Sequence, residues 1–259
     1  MEVGIFATEA EVADAAAKHL FTVLAAAEQK VLGVATGSTP LPLYERMRAA
    51  YAAGEFSLAE FKAFALDEYV GIDPEHPERY RNVLRAELVG TDKTGLCDEN
   101  LFTPDGNAAD PDAAADAYDA QIREHGPIAL QILGIGADGH IGFNEPGISL
   151  VSRTHTDVLT EQTRKDNMRF FDDDIEKVPA GCVTQGLGTI MDAAQVLLIA
   201  TGANKADAVK ELVEGGISAL WPASILQLHP KATVLVDEAA AAKLKLADFY
   251  RGRWEAAHK

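Results

Sequence analysis

Apolar positions along the chain fall into short, β-branched runs separated by longer stretches in which they recur every three or four residues. The runs are VLGVA (31–35), FKAFAL (61–66), IALQIL (128–133), VLLIA (196–200) and ATVLVD (232–237). Near-continuous apolar character over so few residues predicts strands covered on both faces, the condition of strands in a parallel sheet. Between them, EAEVADAAAKHLFTVLAAA (9–27), LPLYERMRAAYAAG (41–54), DPDAAADAYDAQIREHG (110–126) and NKADAVKELVEGG (204–216) predict helices. Asp110, ahead of Pro111, and Asn204 are the expected N-caps. The alternation predicts an α/β fold: a single doubly wound, mostly parallel sheet with helices on both faces, Rossmann-like in plan. No stretch between strands has the character of a linker, so residues 1–259 are expected to form one domain. Thr154 to Thr184 stand out as its most irregular insertion.

Composition narrows the field. Of the 259 residues, 47% are hydrophobic, enough for a sizeable core, yet no apolar run approaches the ~20 residues that span a bilayer. No basic segment with a cleavage site opens the sequence. The formal net charge of −17 argues against nucleic acid or an anionic membrane as partner. A phosphorylated ligand would therefore need basic residues placed locally against the overall field. Cys97 and Cys182 have neither metal-ligand spacing nor the pattern of a disulfide framework. A cytoplasmic protein is the expectation.

In doubly wound sheets, ligands bind beyond the carboxyl ends of the strands, where the strand order reverses. The segments leaving the predicted strands are TGSTP (36–40), DEYVG (67–71), GIGADGHIGFNEPG (134–147) and TGANKA (201–206). All four are rich in glycine, hydroxyls, carboxylates or lysine. Gly134, Gly136 and Gly139 have the G-x-G-x-x-G spacing of a dinucleotide fingerprint, but Gly142, Pro146 and Gly147 interrupt any helix that could receive a pyrophosphate. Asp138 would also set a carboxylate against it. The glycines are expected instead to permit positive φ in a tight, exposed loop. That loop crowds Asp138, His140 and Glu145 together, a His that one carboxylate can orient and both can hold near neutral pKa. With no second His or Cys nearby, general acid/base work is favoured over metal binding.

Thr36, Gly37, Ser38 and Thr39 lie between a strand and a helix, where backbone N–H groups and hydroxyls suit an anion, or simply form a capped turn. The loop is not a phosphate-binding loop of the nucleotide-hydrolysing kind, since no Gly-Lys-Ser/Thr follows. Adjacent side chains leaving a strand point apart, so only one of Asp67 and Glu68 is expected to face the crevice. Lys205, opening a helix, opposes the helix dipole unless an anion is bound nearby.

With these pieces in place, the chain resembles the glucosamine-6-phosphate deaminase family along essentially its whole length. The likeness is carried by GVATGSTPLPLY (33–44), LDEYVGI (66–72), EHPERY (75–80), GIGADGHIGFNEPG, SRTH (152–155), NMRFFDDD (167–174) and SILQLHPKA (224–232). It implies conversion of glucosamine 6-phosphate to fructose 6-phosphate and ammonia, with no metal or organic cofactor. Asp67 then matches the base that moves a proton between C2 and C1. His140 matches the residue that assists ring opening, with Asp138 and Glu145 in support. Thr36 to Thr39 match the phosphate loop, and Arg169 and Lys205 the basic phosphate ligands. Because Arg169 lies in the insertion, residues 154–184 are expected to form a lid.

The resemblance leaves three rivals: a 6-phosphogluconolactonase, a non-catalytic sugar-phosphate sensor, and a deaminase of the galactosamine epimer. Asn144-Glu145-Pro146 and Asp67 to Gly71 favour the deaminase over the lactonase, and the intact set of carboxylates disfavours the sensor. Hexameric, allosteric members of the family bind N-acetylglucosamine 6-phosphate at a subunit interface through a Ser after N-E-P and an Arg and a Lys after S-R-T. Here those positions hold Ile148 (beside Ser149), His155 and Asp157. Assembly into a homo-oligomer does not follow either way.

Overall fold

The computed structural model describes residues 1–258. Its strands are β1 (Glu2–Phe6), β2 (Val31–Val34), β3 (Lys62–Ala65), β4 (Asp67–Tyr69), β5 (Leu101–Phe102), β6 (Leu130–Leu133), β7 (His155–Val158), β8 (Gly181–Thr184), β9 (Val196–Ala200) and β10 (Ala232–Asp237). Seven of them form one sheet in the order β1-β10-β9-β6-β2-β3-β5, every pair parallel. Alternate residues serve opposite faces, as the pleat requires. Val234 and Val236 join a core with Tyr118, Ile122, Val209 and Leu212 of the helices Pro111–Glu124 and Ala206–Glu214. Leu235, Leu130 and Ile132 turn the other way, onto Leu20, Tyr44 and Leu84 of the helices Glu9–Ala26, Leu41–Ala52 and Tyr80–Leu88. This is the doubly wound arrangement that the apolar runs predict.

The five apolar runs all form strands, and Asp110 caps its helix by accepting from the Ala113 N–H at 3.0 Å. Asn204 does not cap: it lies inside a short 3-10 turn, Ala203–Lys205, and Lys205 occupies the N-cap position of Ala206–Glu214 without a side-chain cap bond. Two strands have too weak a pattern to be read in advance. β1 is an edge strand, kept from pairing with other chains by the helix Ala247–Ala257, whose Trp254 packs so near Gly4 that a Cβ there would lie 3.1 Å from the indole. β5 is two residues long.

The insertion is more regular than its sequence suggests. β4, β8 and β7 form a second, antiparallel sheet, with Asp67 opposite Thr184 and His155 opposite Thr184 on its other side. Its own small core gathers Tyr69, Ile72, Phe143, Leu159, Phe171, Val178 and Cys182. Asp67 and Glu68 therefore begin a new strand rather than ending one.

The start of the insertion is fastened to the main sheet by Asp119, a buried carboxylate of the helix Pro111–Glu124. It accepts from Thr189 Oγ1 at 2.6 Å, Thr154 Oγ1 at 3.0 Å and Arg153 Nη2 at 3.0 Å, and pairs with Arg123. The two guanidinium groups reach solvent, so the buried hydroxyls set the cost of losing the acceptor. Asp119→Ala should lower stability by about 1–3 kcal/mol in urea unfolding. A loss below about 0.5 kcal/mol, the size of an ordinary surface change, would contradict this anchoring role.

Candidate active site

The strand order reverses at β2 and β6: from β2 the chain moves outward to β3 and β5, and from β6 it moves the other way to β9 and β10. Beyond the carboxyl ends of these two strands lies a cavity of about 360 Å³. Thr36 to Thr39 line it after β2, Asp67 after β3, Gly134, Gly136 and His140 after β6, and Lys205 after β9. Arg169 reaches it from the insertion. Asp138 and Glu145 stand behind His140. The sequence-predicted set is thus brought to one place.

The loop after β6 owes its shape to close approach as much as to backbone freedom. Gly139 and Gly142 have φ of +85° and +59°, as expected of such a turn. Gly136 does not: a Cβ there would lie 2.3 Å from His140 Cε1, so this glycine makes room for the imidazole. The loop is also largely buried rather than exposed, and no helix follows it. The dinucleotide reading therefore fails on structure as well. Asn144 is a brace, donating to the carbonyls of Ile141 and Gln185 at 2.8 Å each.

His140 Nδ1 lies 2.8 Å from Asp138 Oδ1 and 3.7 Å from Glu145 Oε2. The ring N–H does not point squarely at either oxygen, so charge attraction contributes beside hydrogen bonding. Asp138 Oδ1 also accepts from the His140 backbone N–H at 3.2 Å. Burial alone would lower the imidazole pKa; Asp138, and then Glu145, outweigh it and leave His140 above its ordinary value. Burial likewise works to raise Asp138, but His140 pulls it down to about 2. Glu145 accepts from Thr163 Oγ1 at 2.6 Å, and more weakly from the N–H and hydroxyl of Thr160, at the start of the short helix Glu161–Asn167. With Nδ1 engaged by carboxylates, the ring can exchange a proton through Nε2. The three ligand atoms lie within 4.8 Å of one another, close enough for a metal ion to bridge. One imidazole and two carboxylates already committed to each other and to hydroxyls make a better proton relay than a transition-metal cage.

Asp67 is buried, lines the cavity and has no hydrogen-bond partner among the described residues. Burial pushes its carboxyl up to about 8; the charge of Glu68 adds to the rise and His140 opposes it. Glu68 points away, as the strand geometry predicts. It accepts from the N–H groups of Tyr69, Tyr80 and Arg81, each at 3.0 Å, and so pins β4 to the start of the helix Tyr80–Leu88.

At the other end of the cavity, Gly37 has φ +86° and open space above it, and the helix Leu41–Ala52 begins without a side-chain cap. Its unsatisfied N–H groups suit an anion. Arg169 Nη2 donates to Ser38 Oγ at 3.3 Å. Burial lowers the Lys205 ammonium, a shift that Asp166 opposes and Arg169 reinforces. Tyr80, Asn167 and Asp166 also line the wall and escape sequence reasoning. Asn167 Nδ2 and Tyr80 OH both meet the Tyr69 hydroxyl, at 2.9 and 3.2 Å, contacts that sequence spacing does not signal.

A loop suited to an anion facing a carboxylate–imidazole pair across a switch-point cavity is the arrangement of an enzyme that acts on a small anionic molecule. Residues 7–235 match the family described as glucosamine-6-phosphate isomerases/6-phosphogluconolactonase, and the chain belongs to it. Over 256 residues it is 55% identical to the glucosamine-6-phosphate deaminase of Pseudarthrobacter chlorophenolicus, covering 98% of this chain and 97% of the relative. Over 229 residues it is 57% identical to that of Streptomyces coelicolor, covering 88% and 86%. The solved structure of a monomeric glucosamine-6-phosphate deaminase superposes with a TM-score of 0.90 at 37% identity, covering 94% of this chain and all 100% of that one. A 6-phosphogluconolactonase from Trypanosoma cruzi shares the fold at TM-score 0.76 and 18% identity, covering 94% and 97%.

The raised Asp67 has a consequence for stability. Between about pH 4, where an unfolded Asp ionises, and about pH 8, the folded chain holds a proton that the unfolded chain has released. Stability contributed by this group is therefore full below about pH 4 and falls as pH rises through that window. Asp67→Asn, which copies the neutral form, should gain melting temperature over the parent as pH goes from 5 to 8. Parallel melting curves across that range would refute the raised pKa.

Proposed function

We infer that this chain is an enzyme that converts glucosamine 6-phosphate to fructose 6-phosphate and ammonia. The observation that carries the reading is Asp67, a buried carboxylate without a partner, facing the same cavity as the Asp138-held His140 and the anion-accepting Thr36–Thr39 loop. The relatives' activity supports it. The phosphate is gripped by the loop, Arg169 and Lys205, and that remote binding holds the reacting carbons in register. His140 passes a proton to the ring oxygen as the C1–O5 bond breaks and the C1 hydroxyl releases its own proton to water, opening the sugar to its aldehyde. Asp67 removes the C2 proton, that electron pair forms the C1=C2 bond as the C1=O pair moves to O1 and takes a proton, and the resulting enolamine is reprotonated at C1 as the C2–N bond becomes an iminium. Water adds to C2 and the C–N bond breaks, leaving the ketose and ammonia. No step needs a cofactor.

The reading includes amino-sugar catabolism in the cytoplasm, with residues 1–259 as one domain and 154–184 as a lid that closes on the phosphate. Lactone hydrolysis has no use for a base placed to move a proton between neighbouring carbons, and a sensor has no use for the acid/base set.

A coupled assay for ammonia and fructose 6-phosphate, run with the glucosamine and galactosamine epimers, tests the activity. Asp67→Asn should lower kcat by ~10²–10⁴-fold while substrate still binds. Since a general base works ionised, kcat/KM of the parent should climb with pH towards about 8. Near-normal turnover in Asp67→Asn would remove the residue from this role.

Regulation by N-acetylglucosamine 6-phosphate is not expected. At the positions that allosteric relatives are expected to fill with Arg and Lys, His155 Nε2 lies 3.9 Å from Asp157 Oδ2, and His155 Nδ1 meets the Arg153 carbonyl at 2.8 Å. Exchanging Lys for Asp replaces attraction to a phosphate with repulsion. Saturation should be close to hyperbolic, and initial rates should not shift on adding the effector; a clear leftward shift would show the site rebuilt from other residues.

A further inference from the structure

The phosphate end of the cavity contains a charge of the wrong sign. Asp166 lines it together with Arg169 and Lys205, three residues ahead of Arg169 in the same insertion. It belongs to the helix Glu161–Asn167, where its Oδ1 accepts from Gln162 Nε2 at 2.8 Å. That bond anchors the carboxylate through an uncharged amide. Its field reaches Lys205, on which it is the main charge opposing the effect of burial.

We propose that Asp166 is a counter-charge that sets phosphate affinity: it attends Lys205 in the empty cavity and repels the dianion that takes its place. The inference rests on the reading of this cavity end as a phosphate site. A segment that brings Arg169 and Asp166 together delivers one attraction and one repulsion to the same ligand. The purpose follows from the reaction. Substrate and product carry the same phosphate, so tighter grip on it strengthens both equally, adds nothing to the chemical step and slows product departure. A carboxylate beside the grip keeps the binding strong enough to position and weak enough to release.

The test is titration of inorganic phosphate into the full chain and its variants, with KM and product inhibition by fructose 6-phosphate measured alongside. Asp166→Asn keeps the side chain's shape and should bind phosphate roughly 3–10-fold tighter, the range for removing one like charge at partly solvated distance. KM and the inhibition constant of fructose 6-phosphate should fall by a similar factor, with no rise in kcat. Asp173→Asn removes the same charge from the same segment but outside the cavity wall, and should stay within about twofold of the parent. In a Lys205→Ala background, the gain from Asp166→Asn should shrink, the coupling expected of neighbours. Equal or weaker phosphate binding by Asp166→Asn would overturn the proposal, as would equal tightening by Asp173→Asn. If the parent chain itself binds no phosphate, the phosphate-site reading fails first and takes this inference with it.

Discussion

Burying Asp67 against the cavity wall without giving it a hydrogen-bonding partner in the chain is the constraint that the surrounding structure serves. A buried carboxyl pushed up to about 8 is unfavourable for the fold at neutral pH. Two features hold it at that position. The backbone of Asp67 is locked in a ladder opposite Thr184, and the next residue, Glu68, is tied by three N–H groups to β4 and to the start of a helix. Of two adjacent carboxylates, one is saturated with donors so that the other can be left with none. This is the expected form of strain kept at a functional site: local, unfavourable and held in place by neighbours that have no chemistry of their own.

Electrostatics at the opposite end of the cavity has to work against the whole molecule. A net charge of −17 repels an arriving phosphate, yet beyond about 8 Å salt screens most of that field. Within that radius the balance is local: an uncapped helix start, an open glycine turn, Lys205 and Arg169 stand against Asp166. The sign of the composition therefore bears on what the surface repels, such as nucleic acid, and hardly on what the cavity accepts.

Much of this was legible in the sequence because parallel strands and their exits leave distinct marks. Strands covered on both faces must be apolar throughout, so VLLIA and ATVLVD declare themselves, and the loops beyond them declare their chemistry through glycines and charges. The second sheet has no such mark. Its strands DEY, HTDV and GCVT are short and partly polar, and DEY finds its partner more than a hundred residues away, as Asp67 with Thr184 shows. Asn204 misled for a related reason: a 3-10 turn in front of the helix moved the first helical residue past it, leaving Lys205 in the cap position. Gly136 was read for backbone freedom when its task is to admit an imidazole, a distinction that only the third dimension makes. The hydroxyls of Thr160 and Thr163, which hold Glu145, sit on a different element and follow no spacing rule.

Those hydroxyls connect the two ends of the cavity. The helix Glu161–Asn167 begins where Thr160 and Thr163 hold Glu145, one of the two carboxylates that raise the His140 pKa. It ends at Asn167, bonded to the Tyr69 hydroxyl two residues beyond Asp67, and leads directly into Arg169, bonded to Ser38 of the anion loop. One element two turns long thus touches the support of His140, the strand of Asp67 and the Thr36–Thr39 loop. If the proposed lid moves as a body with this helix, it cannot swing without loosening Glu145. Closure over a bound phosphate would then do more than exclude water: it would seat the hydroxyls that hold Glu145, one of the two carboxylates beside His140.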